Sequence, residues 1–436
     1  MGDAAGVDGR RAIPSTSAVL AEMAVTEAGR GLARAAVVAA VRAAQAAARS
    51  GEIEPGQVTQ RAVALLAAPA ATLTPVINAT GVVLHTNLGR APLSADARAA
   101  LLAAAGTVDV EWDAATGARA GRGRQALAAL LVAVPAAEAA LVVNNGAAAI
   151  LLAVAGLAGG RTALLSRGEF VEIGDGFRVP ELLRHGGVEL REVGTTNRTA
   201  LRDYARALTD DTAAILKIHP SNFVVRGFTS SVGVAELAGL GPPVIVDAGS
   251  GLLAPHPLLP DELDVTSALR AGAAVVTCSA DKLLGGPQAG LILGPRRHID
   301  VLRRHPLYRA LRVDKLTLAA LEATLRGGRT PTWAALSTDA AEIEQRCRML
   351  AAELAEAGIA AGVTGCRTAI GGGSAPDVTL PSWAVTLPES YAEPLRRGHP
   401  AIAGRIDAGR LLLDLRTVDA AQLPAIAARV SACPTG

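Results

Sequence analysis

Ser279-Ala280-Asp281-Lys282-Leu283-Leu284-Gly285-Gly286-Pro287-Gln288-Ala289-Gly290 is the stretch that decides how this chain folds. It follows an apolar, β-branched run over 273–277 with the length of a buried strand. A lysine that leaves a strand and enters a Gly-rich turn can carry its amine into the crevice at a sheet's carboxyl edge. Burial there lowers the amine pKa from its ordinary value of about 10.4. Such an amine condenses with an aldehyde cofactor, and pyridoxal 5′-phosphate (PLP) fits that role. Ser279 can hydrogen-bond the cofactor phosphate, and the glycines allow close backbone approach. Lysine occurs only at Lys217, Lys282 and Lys315, so lysine chemistry has three candidates. Lys217 lies inside an apolar strand, where a site role and a strand-end ion pair both stay open. Lys315, beside Asp314, reads as an exposed helix lysine.

Upstream, Val244-Ile245-Val246-Asp247-Ala248-Gly249-Ser250-Gly251 places a carboxylate at another strand's carboxyl end. From there Asp247 can pair with a protonated pyridine nitrogen and keep the ring an electron sink. Asn144-Asn145-Gly146-Ala147 joins a strand to a helix, and the first amides of that helix, around Asn145, Gly146 and Ala147, can hold a phosphate. The segment 78–90 is dense in polar side chains and ends on Arg90, a bidentate anion clamp or a solvated linker residue. Tyr308-Arg309-Ala310-Leu311-Arg312 sets two arginines at i and i+3, which share a face if the segment is helical.

Strand-like runs over 140–143, 162–165, 188–193, 213–218, 244–246, 273–277 and 290–293 are separated mostly by helix-like stretches. That alternation predicts a mainly parallel α/β sheet covered on both faces. Residues 12–70 read as helices over 17–32, 33–50 and 57–66. After 315 the pattern predicts helices over 316–325 and 339–357, a strand over 383–387, a hairpin 402–406/410–415 turning at Ala408-Gly409, and a helix over 420–430. Three domains follow: 1–72 helical, 73–315 a large α/β domain, and 316–436 a smaller α+β domain.

Net charge is +2, so no global basic field advertises nucleic acid. Cys278, Cys347, Cys366 and Cys433 are scattered with no C-x-x-C pair, which points away from a zinc site or a disulfide framework and suits a reducing cytoplasm. No signal peptide is visible, and the Ala-rich stretch 35–48 is interrupted by Arg42 and Gln45, too polar for a membrane span.

The long strings 75–94 (PVINATGVVLHTNLGRAPLS), 193–199 (VGTTNRT), 217–223 (KIHPSNF) and 279–290 (SADKLLGGPQAG), with the region 169–180, resemble the bacterial selenocysteine synthases, the L-seryl-tRNA(Sec) selenium transferases. The resemblance runs from about residue 14 to the C-terminus and is thinnest after 312. It implies a fold type I PLP enzyme with the cofactor on Lys282 and Asn222 of the KIHPSNF string among its contacts. It implies that Arg90, Arg309 and Arg312 hold the anionic group of selenophosphate, with Thr195 and Thr196 nearby. It implies a homo-oligomer, a ring of dimers, and an N-terminal helical domain that grips tRNA. The implied reaction removes water from serine esterified to tRNA(Sec) and adds selenium. Asp175 departs from the small neutral residue expected there. The N-terminal block is only weakly basic, with seven arginines against six acids. Arg34, Arg42 and Arg49 nevertheless recur at steps of eight and seven, near one face of a helix.

Two other functions fit parts of the pattern. A PLP lyase or aminotransferase for a small, even phosphorylated, amino acid shares Lys282, Asp247 and an arginine anion site, but has no need of the N-terminal block. A non-catalytic tRNA-binding protein needs that block but has no need of an intact Lys282 and Asp247.

Overall fold

The computed structural model describes residues 12–23, 27–67, 73–174, 176–220 and 222–433. Asp175, Arg10 and Arg11 lie outside the described residues. The chain divides into two units, Met1–Thr74 and Pro75–Gly436.

In the second unit the seven apolar runs form one sheet. Its order is Ala139–Val143, Gly290–Gly294, Val275–Ser279, Val244–Gly249, Thr212–Ile218, Thr162–Ser166 and Glu189–Val193. Gly290–Gly294 runs antiparallel to both neighbours; the other pairings are parallel. Five of the strands are buried along their whole length, as expected where helices cover both faces, while the edge strand Glu189–Val193 is largely open. Successive side chains alternate between two cores. Ala140, Val142, Val244 and Val246 pack with Leu130 and Leu237 on one face. Leu141, Val143 and Ile245 pack with Ile150, Leu152 and Val154 on the other. The helix Lys315–Arg326 also belongs to this sheet, since Leu318 and Leu321 enter the first core.

A second sheet follows the order Arg405–Asp407, Arg410–Asp414, Thr379–Pro388, Gly362–Gly371, Val82–Leu84. Ile343, Cys347, Leu350 and Leu354 of the helix Ala340–Glu356 cover it. The predicted hairpin turn forms at Ala408-Gly409, both with positive φ. Its first strand is shorter than predicted, because Ala401–Ala403 pairs in parallel with Val76–Asn78 instead. The ten-residue strand Gly362–Gly371 has no counterpart in the sequence reading. Most of its residues are polar or small and half-exposed, with only Thr368 and Ile370 buried, so they leave no apolar period.

The first unit holds helices Thr16–Met23, Arg34–Arg49 and Val58–Leu66 around Val19, Met23, Val41, Ala44, Val58 and Ala62. The single helix predicted over 17–32 is not continuous. A 3-10 turn occupies Glu27–Gly29 and Gly31 has positive φ. Gln45 is buried, donating to the Pro14 carbonyl at 2.8 Å and accepting from the Thr16 hydroxyl at 3.1 Å. Arg34, Arg42 and Arg49 are exposed. Among the described residues no helix is long and apolar enough to cross a membrane.

Candidate active site

Parallel strands deliver their carboxyl ends to one edge of the large sheet, and the buried polar residues gather there. The strand Val275–Ser279 runs directly into the Lys282 turn. Gly285 donates to the Lys282 carbonyl and Leu283 to the Ser250 carbonyl, both at 2.9 Å. This closed turn leaves Lys282 only 6 % exposed. Burial holds its amine below the ordinary lysine value, against the pull of Asp247. Lys217 is instead an ion pair, its Nζ 2.5 Å from Glu169 Oε1. Lys315 is half-buried and donates to the Ala105 and Gly106 carbonyls. Of the three lysines, only Lys282 combines burial with a place in the strand-end cluster and no direct carboxylate contact.

Asp247 sits on the adjacent strand, paired in register with Thr277, whose hydroxyl donates to its Oδ1 at 2.9 Å. Burial raises the Asp247 pKa, while the Thr277 hydrogen bond and the Lys282 charge favour the carboxylate. His219 is one residue beyond the next strand, and its amide donates to the Asp247 carbonyl at 3.0 Å. Its Nε2 lies 3.8 Å from Oε2 of buried Glu262. Burial holds the imidazole pKa down, opposed by Glu262 and Asp247. His219, Glu262 and Thr277 escaped the sequence reading. His219 stands inside the KIHPSNF string, so its place at a strand end was the available signal. Asn222 of that string is exposed, and its amide donates to the Glu172 carbonyl at 3.1 Å.

The residues predicted to hold a phosphate come together at one helix start. Asn145 caps the helix Gly146–Ala158, accepting from the Ala148 amide at 2.8 Å. The amides of Gly146 and Ala147, at the first two helical positions, are left without intrahelical partners. A Cβ on Gly146 would stand 2.5 Å from Ser279 Oγ, so that hydroxyl faces the same helix end. Ser250 Oγ, beside the Lys282 turn, is buried with no partner among the described residues.

Arg90 has a left-handed backbone, φ 63°, after Gly89 at 87°. This sharp exit aims its guanidinium at Asp281, at 2.7 Å. Arg309 and Arg312 line a different cavity of about 340 Å³ with Glu111, Arg119 and Arg122. Within one chain the three predicted anion-site arginines therefore do not share a cavity. Nor do Arg309 and Arg312 share a helix: Pro306–Ala310 ends first, and Arg312 bridges Val143. Thr195 and Thr196 line a third cavity, about 620 Å³, with Lys217, His219 and Glu262. The Thr195 hydroxyl closes its own turn onto the Arg198 carbonyl at 2.9 Å.

Residues 76–419 match the family model described as L-seryl-tRNA selenium transferase, and residues 10–49 match selenocysteine synthase N terminal. The L-seryl-tRNA(Sec) selenium transferase of Moorella thermoacetica is 48% identical over 373 residues, 80% of this chain and 79% of the relative. Those of Geobacter metallireducens and Methylocella silvestris are 44% and 43% identical; the alignments cover 88% and 93% of this chain and 90% and 94% of theirs. Among solved structures, D-glucosaminate-6-phosphate ammonia-lyase superposes with a TM-score of 0.58 at 21% identity, covering 82% of this chain and 96% of that one, a likeness of fold. The α/β architecture is that of fold type I PLP enzymes, and the chain belongs to the L-seryl-tRNA(Sec) selenium transferase family.

Proposed function

We propose that this chain performs the conversion its family is named for, replacing the β-hydroxyl of serine on seryl-tRNA(Sec) with selenium from selenophosphate. The observation that carries the reading is buried Lys282 within charge range of Asp247, three residues after Ser279, whose hydroxyl faces a helix end with two amides that lack intrahelical partners. These residues fit PLP. Gly146, Ala147 and Ser279 present donors for its phosphate, the orphaned Ser250 Oγ supplies another, and Asp247 suits a protonated ring nitrogen. When bound, PLP supplies an electron sink for negative charge at the substrate's α-carbon.

The chain's own residues do the rest. Lys282 Nζ, its pKa lowered by burial, accepts the α-proton. Thr277 holds Asp247 in orientation through its hydroxyl. Asp281 fixes Arg90 at the rim of the Lys282 turn. Arg309 and Arg312 bind the donor's oxyanions, and Arg90, which does not share their cavity within one chain, joins them only across a subunit contact of the oligomer; planar guanidinium suits the task because it engages two oxygens at once. Thr195 and Thr196 line the approach by His219. In this reading 73–315 is mainly the cofactor-binding part and 316–436 mainly the smaller α+β part, save that the helix Lys315–Arg326 packs on the large sheet and the strands Val76–Asn78 and Val82–Leu84 pair within the smaller part. The working form is a cytoplasmic homo-oligomer, a ring of dimers. Phe228, 91 % exposed beside Phe223, Val224 and Val225, is apolar surface of the sort that subunit contacts cover.

A lyase or aminotransferase reading keeps the Lys282 core, but the match of residues 10–49 to a selenocysteine synthase N-terminal model favours the tRNA substrate. The test is incubation of the purified chain with seryl-tRNA(Sec) and selenophosphate. Selenocysteinyl-tRNA is the expected product; recovery of serine alone overturns the reading. The N-terminal unit binds the tRNA through phosphate contacts from Arg34, Arg42 and Arg49. Replacing all three by Gln should lower the slope of log affinity against log salt by about two to three. An unchanged slope removes them from the interface.

A further inference from the structure

The cavity that holds Arg309 and Arg312 already contains an anion of its own. The chain folds back over 109–120, where Asp113 donates to the Ala118 carbonyl and Ala120 to the Glu111 carbonyl, both at 2.9 Å. That turn carries Glu111 into a ring of guanidiniums. Its Oε2 accepts from Arg119 at 3.0 Å. Its Oε1 accepts from Arg122 at 3.2 Å and lies 3.8 Å from Arg312. Arg309 lines the same space, with no hydrogen bond or ion pair among the described residues.

Three arginines thus contact one carboxylate and a fourth, Arg309, lines the same cavity, an excess of three positive charges. Arg122 is anchored, since it also donates to the Val313 carbonyl at 3.0 Å. Its Nε is buried with no partner among the described residues, a donor still without its acceptor. A carboxylate gripped by guanidiniums occupies the place of a tetrahedral oxyanion, because both present oxygens at the spacing of the guanidinium fork. Glu111 remains partly solvated, so it can swing out without stranding a charge in a dry interior.

We propose that Glu111 is an internal counter-ion, which holds the arginine cavity when no ligand is present and is displaced by a dianionic tetrahedral oxyanion of the phosphate class. The proposal rests on the reading that this cavity takes the donor's anionic group. Its consequence is selectivity. A monoanion offers the arginines no more charge than Glu111 already supplies, whereas a dianion offers twice as much. Glu111 therefore sets a threshold that chloride or a monocarboxylate does not cross.

The test is calorimetric titration of the full-length, cofactor-loaded protein with inorganic phosphate and, separately, formate. Glu111→Gln should tighten phosphate by about fivefold or more and bring formate binding into range. Glu111→Ala should move in the same direction, and retained cofactor absorbance verifies that each variant is folded. Unchanged or weaker phosphate binding in both variants overturns the proposal, because Glu111 then orients the arginines and does not compete for them. The donor assignment has its own readout. If Arg309→Ala and Arg312→Ala leave selenophosphate use untouched while Glu111→Gln still tightens phosphate, the donor reading fails and the counter-ion stands.

Discussion

The Lys282 turn and the arginine cavity are both charged, yet they are built on opposite physical terms. At the turn, Lys282, Asp247 and Glu262 are all under 10 % exposed, and burial dominates the pKa shifts of the first two. In the cavity, Arg119 is 83 % exposed and Glu111 is held below its usual value by hydrogen bonds from Arg119 and Arg122. A dry site fixes protonation states and makes each missing partner expensive. A wet site keeps its charges ionised and exchangeable, at small cost per contact. Proton transfer needs the first; capture and release of an anionic co-substrate need the second.

The sharpest way to break this contrast is at Lys282. Lys282→Ala should lose covalent cofactor attachment and cut turnover by about 10²–10⁴-fold or more. Borohydride reduction and peptide mapping of the wild-type protein should place the label on Lys282. A label on Lys217 or Lys315 would reassign the site. The sign of the pH effect also follows. A buried lysine with a lowered pKa reaches its neutral, reactive form at lower pH than a free one, so cofactor uptake by the apo-protein should rise with pH and level off below about 10.4. Uptake that keeps climbing past that value would mean a solvated amine.

Asp247→Asn comes next. It keeps the shape and the Thr277 contact but removes the charge. Cofactor absorbance should persist while turnover falls by about a hundredfold, two factors of ten at about 1.36 kcal/mol each. Near-normal turnover would show that the buried carboxylate only caps a strand end.

The smallest effects belong to the cavity. Arg309→Ala and Arg312→Ala should each raise the KM for selenophosphate by about three- to tenfold with little change in cofactor binding, and added salt should shrink the difference. An effect as large as that of Asp247→Asn, or one indifferent to salt, would mean that the cavity is dry in the working assembly and that the contrast fails.

Much of the sheet's carboxyl edge was legible because its signals are local. A lysine between an apolar strand and glycines, a carboxylate after Val244-Ile245-Val246, and Asn145 before a helix each announce a strand end by composition alone. The half-exposed strand Gly362–Gly371 was not legible, since its side chains form no continuous apolar face. His219 and Glu262 were missed for another reason. Their significance is mutual, and 43 positions separate them in the chain.

By itself the sequence determined the element types of the large sheet, the strand-end place of Lys282 and the family, because strand burial, turn chemistry and long motifs are properties of contiguous residues. Only the tertiary structure decided which charges meet. It paired Lys217 with Glu169 and so left Lys282 as the buried amine without a counter-ion in contact among the described residues. It tied Arg90 to Asp281, 191 positions away, and parted it from Arg309 and Arg312. It also set Glu111 among the arginines. Electrostatic partnership depends on distance and on exclusion of water, and neither exists until strands far apart in the chain lie side by side.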